Sequence, residues 1–219
     1  MLKYDLHTHT NYSKCSSLKP ENLLKTAKKR GLNGIAVTDH GTIKGALEAK
    51  RLNKDKDFEV IIGEEISTVQ GDVLAYYLNE QIDAVDFFDA VKKIRKQNGL
   101  VIIPHPFRTS IRRSHKFRIP LHKIKKYIDA VEAFNGRMLF SSENKKADET
   151  ANKYGIAKTA GSDAHFKPEI ATGYTLFDGD LRKALKEKST RAYGKLKFGA
   201  FGGLLSFLKN RASSKKIIR

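Results

Sequence analysis

The chain has 219 residues, a single cysteine and a formal charge of +18, long enough for one α/β domain with its own hydrophobic core. The lone Cys15 excludes an internal disulfide framework, and no apolar run reaches the roughly 18 residues of a membrane span. The opening MLKYDLHTHT lacks the basic-then-apolar layout of a signal peptide, so the expected compartment is the cytoplasm.

In chain order, the apolar run LKYDLH predicts a first strand and PENLLKTAKKRG a helix. The strand NGIAVTDH and a helix near TIKGALEAKRLN follow, then two strands in direct succession, FEVIIGEEIST and DVLAYYL. A helix over AVDFFDAVKKIRKQNG leads to the strand LVIIPH and a basic stretch. Beyond it come the strand DAVEAFN, a helix around SENKKADETANKYG and the strand segment IAKTAGSDAH. Short apolar strands alternating with amphipathic helices predict βα units around a mostly parallel, buried sheet. Gly31, Gly99 and Gly155 are placed to end helices in the left-handed conformation. There are too few units for an eightfold barrel.

Five segments end a strand-like run with a histidine or carboxylate: DLHTH, VTDH, GEEIS, IPHP and AGSDAH. In sheets of parallel strands, functional side chains collect at such carboxyl ends. Five of the seven histidines lie in these segments. Residues i and i+2 of an extended run face the same way, which pairs His7 with His9 and Asp163 with His165. Of the neighbours Glu64 and Glu65, only one can face the same ion. Imidazole with carboxylate suits zinc, manganese or iron(II).

As a set, DLHTHT with the YS that follows, TDHGT, GEEIST, HP and GSDAH over residues 5–165 resemble the polymerase and histidinol phosphatase (PHP) domain family. The resemblance implies a distorted (β/α)7 TIM-like barrel and a metal-dependent phosphoesterase holding two or three divalent metal ions. It implies a first ion on His7, His9, Glu65 and Asp163, a second on Glu65 and His105, and a third on His40 and His165. Two positions depart from the family pattern. Cys15 stands where relatives carry an Asp or His, and is either a thiolate ligand or a small buried residue. Tyr127 stands where some relatives carry a histidine, leaving water, substrate or Glu132 to complete the second ion. Asp5 and Asp39 are placed to orient imidazoles, with Asp39 a candidate proton relay. His115 and His122 read as surface or substrate-rim residues.

The expected chemistry is attack of a metal-activated hydroxide on a phosphate ester. Asp39 and Arg108 are the candidate catalytic residues, and Arg108, Arg112, Arg113 and Lys116 are the candidate phosphate-binding residues following His105. The substrate is a small phosphate monoester or a nucleotide or nucleic-acid end. A non-catalytic RNA- or DNA-binding module is the alternative, and a histidinol-phosphate phosphatase a minor one. Residues 108–126 hold eight bases and no acid, and residues 182–219 twelve bases and one acid. These patches read as a lure for a polyanion or as a solvated surface. Residues 1–188 are the expected catalytic domain, and 189–219 a basic extension that packs on the barrel or binds a partner.

Overall fold

The computed structural model describes residues 1–109 and 117–196, together with Ser206 and Lys209. Arg112, Arg113, His115 and Lys116 therefore lie outside the described residues. Nine strands form one sheet: β1 (Leu2–Thr8), β2 (Gly34–Val37), β3 (Glu59–Thr68), β4 (Gly71–Tyr76), β5 (Leu100–Ile103), β6 (Ala130–Asn135), β7 (Ala157–Gly161), β8 (Gly173–Phe177) and β9 (Arg191–Gly194). Their order is β7-β6-β5-β4-β3-β2-β1-β8-β9. The helices whose bounds fall among the described residues are α1 (Pro20–Lys29), α2 (Lys44–Leu52), α3 (Phe87–Lys96), α4 (Leu121–Ile124), α5 (Ser141–Tyr154) and α6 (Leu181–Lys186).

The strands β1, β2 and β3 run parallel, as do β5, β6 and β7. Between the two sets β4 is antiparallel to both neighbours, because a tight turn at Val69 and Gln70 replaces a crossover helix. The seven strands β1 to β7 are those expected of the distorted barrel. β8 and β9 raise the count to nine, both pairing antiparallel. β9, which lies within residues 189–219, hydrogen-bonds to β8.

The sheet curls until its ends meet. β8 pairs with Leu2 to Tyr4, the first half of β1. The second half meets the segment after β7 instead: the Asp163 amide donates to the His7 carbonyl at 2.8 Å, and the His9 amide to the Ala164 carbonyl at 2.9 Å. Gly161 permits this approach, because a Cβ there would lie 2.3 Å from the His7 Cβ and 2.6 Å from its amide nitrogen. One apolar cluster draws Leu6, Ala36, Ile61, Leu74, Ile102, Ala130 and Ala157 from seven strands, as the inside of a barrel must. Full burial of each large aliphatic side chain there is worth about 1.5–3 kcal/mol.

The helix ends show how local chemistry sets boundaries. The Asp86 carboxylate accepts from the Phe88 amide at 2.8 Å, so α3 starts later than its apolar pattern suggests. At its other end Asn98, not Gly99, takes the left-handed position (φ 55°), while Gly31 and Gly155 behave as expected at φ 70° and 62°.

Candidate metal centre

The carboxyl ends of β1, β2, β3, β5 and β7 deliver their histidines and carboxylates to one buried point. The His7 and His9 Nε2 atoms face each other at 3.1 Å. Glu65 Oε2 lies 3.3 Å from both, and 3.2 Å from His40 Nδ1. Glu65 Oε1 reaches His105 Nε2 at 3.1 Å. Asp163 Oδ1 is 3.3 Å from His9 Nε2 and 3.5 Å from His165 Nδ1. Within this cluster four sets of three converge, their ligand atoms all within 4.8 Å: His7, His9 and Glu65; His7, His105 and Asp163; His9, His40 and His165; Glu65, Asp72 and His105.

The donor set fits divalent metal. Crowded nitrogen lone pairs and carboxylates without water are costly unless they share a ligand. His7 Nδ1 sits 2.9 Å from Glu132 Oε1, an acceptor that keeps the proton on Nδ1 and turns the Nε2 lone pair into the cluster. His105 Nδ1 is buried with no hydrogen-bond partner among the described residues. Burial opposes ionisation of Glu65 and Asp163, yet His40 and His7 around the first, and His7, His9 and Arg108 around the second, hold both well below the usual carboxylate range. Burial, Arg137 and His9 keep His165 well below the usual imidazole range and hence neutral. The backbone is strained at the same place: His105 and Asp163 have φ of 30° and 55°, rarely populated by residues with side chains.

The positions foreseen from sequence divide clearly. His7, His9, His40, Glu65, His105, Asp163 and His165 come together, and Arg108 Nη2 contacts Asp163 Oδ2 at 3.2 Å. Cys15 belongs to none of the convergent sets; burial, with Asp163 and Glu65 nearby, pushes its thiol up to about 12. Asp39 does not touch an imidazole. Its oxygens accept from the Thr10 amide at 2.7 Å and the Thr10 and Ser13 hydroxyls at 2.5 Å, fixing the loop after β1. Asp5 likewise meets the Ser162 amide, the Ser162 hydroxyl and the Ala171 amide at 2.8, 2.5 and 2.9 Å, stapling β1 to the end of β7. Backbone and hydroxyl donors from facing loops fill these oxygens, and the Ser13 hydroxyl that donates to Asp39 lies 3.5 Å from His9 Nδ1. Tyr127 packs edge-to-face on Phe88 at 5.4 Å in the outer apolar layer, and His122 lies against Tyr154.

Glu64 points away from Glu65, as strand alternation requires. It is fully buried, its Oε2 accepting from the Ile82 amide at 2.8 Å and its Oε1 without a partner among the described residues. Burial pushes this carboxyl from 4.5 up to about 7. The folded chain therefore binds the proton more tightly than the unfolded chain between these values, and stability falls as pH rises through that window, by at most about 3 kcal/mol. Glu64→Gln is expected to flatten this slope in urea unfolding of chelator-treated protein at pH 4.5 to 8; an unchanged slope assigns it to other groups.

Four buried residues escaped the sequence reading of the site or were undervalued in it. Glu132 holds His7 and accepts from the His105 amide at 2.9 Å. Asn135 Nδ2 donates to Glu132 Oε2 at 3.0 Å and to Asp163 Oδ2 at 3.3 Å. Asp72 accepts from the Ser67 hydroxyl within ligand reach of Glu65 and His105. Arg137 Nη1 lies 2.6 Å from His165 Nδ1. For Glu132 the signal was present, a carboxylate inside the apolar run AVEAFN; for Arg137, which follows the strand in a turn, there was none.

The PHP domain family matches residues 5–195. An uncharacterized protein of Methanocaldococcus jannaschii, MJ0417, is 38% identical over 179 residues, which cover 80% of this chain and 70% of that protein. A 5'-3' exoribonuclease of Haemophilus influenzae is 44% identical over 66 residues, 30% of this chain and 24% of that enzyme. Among solved structures, a two-domain protein from Bacteroides vulgatus containing a predicted PHP-like metal-dependent phosphoesterase superposes with a TM-score of 0.72 at 20% identity. That match covers 88% of this chain and 64% of the other, so this chain spans less than two thirds of it. Among the described residues no helix is long and apolar enough to cross a membrane.

Proposed function

Because this chain belongs to the PHP domain family, we propose that it is a metal-dependent hydrolase that cleaves a phosphate ester, either a small monoester or a nucleotide end. The observation that carries this reading is the convergence of His7, His9, His40, His105 and His165 on Glu65 and Asp163. Divalent ions on these residues would lower the pKa of water and neutralise phosphoryl charge. The remaining work falls to the chain. Glu132 and Asn135 fix the direction of His7 and Asp163. Arg108, paired with Asp163 and partly exposed, offers further N–H donors to a phosphate oxygen at the open side. His40 marks that side, its ring about one third exposed while the other imidazoles of the cluster are buried.

The formal charge of +18 and the local likeness to an exoribonuclease support a nucleic-acid end as the second reading. The dense donor set supports an enzyme over a non-catalytic nucleic-acid-binding module. The test is elemental analysis of protein purified without chelator, paired with assays on p-nitrophenyl phosphate, its bis-ester, mononucleotides and end-labelled RNA and DNA. Bound zinc, manganese or iron with turnover of at least one ester is the expected result. No bound metal, and no turnover under added manganese or zinc, would overturn the reading.

A further inference from the structure

The segment that carries His165 has little regular structure of its own. Between β7 and β8 it makes a bridge to β1 at Ala164 and a 3-10 turn, Lys167–Glu169, so contacts from elsewhere in the chain fix its path. Two braces do this. In the first, the Ser16 hydroxyl shares its proton between the His165 carbonyl at 2.9 Å and the His9 carbonyl at 3.2 Å. The Ser17 amide donates to the same His165 carbonyl at 3.2 Å. In the second, Glu169 Oε2 accepts from the His165 and Phe166 amides at 2.7 and 3.0 Å, while Oε1 faces Arg137 Nε at 3.3 Å. Ser16 and Glu169 therefore grip His165 by its backbone, at atoms other than the imidazole nitrogens.

The C-terminal extension touches both braces. Of residues 197–219, which lie past the end of the family match at residue 195, the structure describes Ser206 and Lys209. The Ser206 hydroxyl accepts from Arg137 Nη2 at 2.9 Å, and the half-buried Lys209 donates through Nζ to the Ser16 carbonyl. Two residues three positions apart in sequence bear on two separate supports of one ligand residue. Arg137 is 6% exposed and Ser16 is fully buried, so water is poorly placed to replace either contact once it is lost. We propose that Ser206 and Lys209 are positioning residues of the metal centre, holding His165, and through Ser16 also His9, at the corner that both share with His40. The extension is then part of the metal centre rather than a separate binding element.

The proposal rests on the metal-dependent reading above, and one experiment separates the two. Full-length protein, stripped with chelator, is titrated with manganese and with zinc by calorimetry. Ser206→Ala and Lys209→Met are each expected to loosen the weakest-bound equivalent by at least about tenfold, the range over which contacts behind a ligand act. The double variant is expected to loosen it further, because the braces are separate. Tighter-bound metal should keep its parental affinity in all three, whereas a general loss of packing would loosen every equivalent alike. Lys209→Arg, which keeps a donor and a charge, is expected to bind metal as the parent does. Parental affinity in the double variant, equal loosening of every equivalent, or a parent that takes up a single equivalent would overturn the proposal and leave the hydrolase reading standing. Should the double variant not fold, the two single variants decide. A parent that takes up neither manganese nor zinc overturns both.

Discussion

Replacing Asp163 with asparagine is expected to lower phosphoesterase turnover by at least about 10³-fold, the several kcal/mol carried by metal-borne charge stabilisation, with the fold retained. Asparagine is the informative substitution because residue 163 has φ of 55°, a region that asparagine tolerates and alanine does not. The orientation of its amide is dictated by neighbours. Arg108 Nη2 and Asn135 Nδ2 both donate to Oδ2, so the amide oxygen must stay on that side. The NH2 group then takes the place of Oδ1, 3.3 Å from His9 Nε2 and 3.8 Å from His7 Nε2. An amide NH2 has no lone pair for an ion and points a donor into a set of acceptors. Elemental analysis should show at least one equivalent of metal lost, while chelator-treated variant and parent unfold within a few degrees of each other. Parental turnover in this variant would place the chemistry elsewhere in the chain.

The fold and the centre of the site were legible because the apolar runs stop where the ligands begin. In NGIAVTDH or LVIIPH the change from β-branched residues to histidine marks the carboxyl end of a strand, and family order supplies the rest. Direction was legible where it follows from period 2, as for Glu65 against Glu64. It was not legible where a carboxylate's partner is remote in sequence. Asp39 neighbours His40, yet its oxygens are filled by Thr10 and Ser13, 29 and 26 residues away. Arg137 finds its partner in Ser206, 69 residues on. Beyond residue 165, β8 and β9 are five and four residues long, too short to show a period, and they join the sheet by pairing with strands already in place. Composition similarly located the basic stretch after His105, but only Arg108 of its four candidate phosphate ligands falls among the described residues.

Gly161→Ala should damage stability and catalysis together, which separates it from Asp163→Asn. The added Cβ would lie 2.3 Å from the His7 Cβ, 2.6 Å from its amide nitrogen and 2.9 Å from its Cα. These are backbone and near-backbone atoms, so no rotamer change relieves the contact and β1 must move away from β7. Overpacking of this kind costs about 3 kcal/mol at the upper end of its usual range. The displacement also acts on the ligands, because the hydrogen bonds from Asp163 to His7 and from His9 to Ala164 begin two residues further along the same seam. A shift of about 1 Å between His7 and Asp163 is enough to lower turnover about 10²-fold. Urea unfolding in chelator measures the first effect and steady-state kinetics with saturating metal the second. A variant with the parental urea midpoint and reduced turnover would mean that the seam yields without strain. One with both values unchanged would show that β1 and β7 are not held as closely as Gly161 allows.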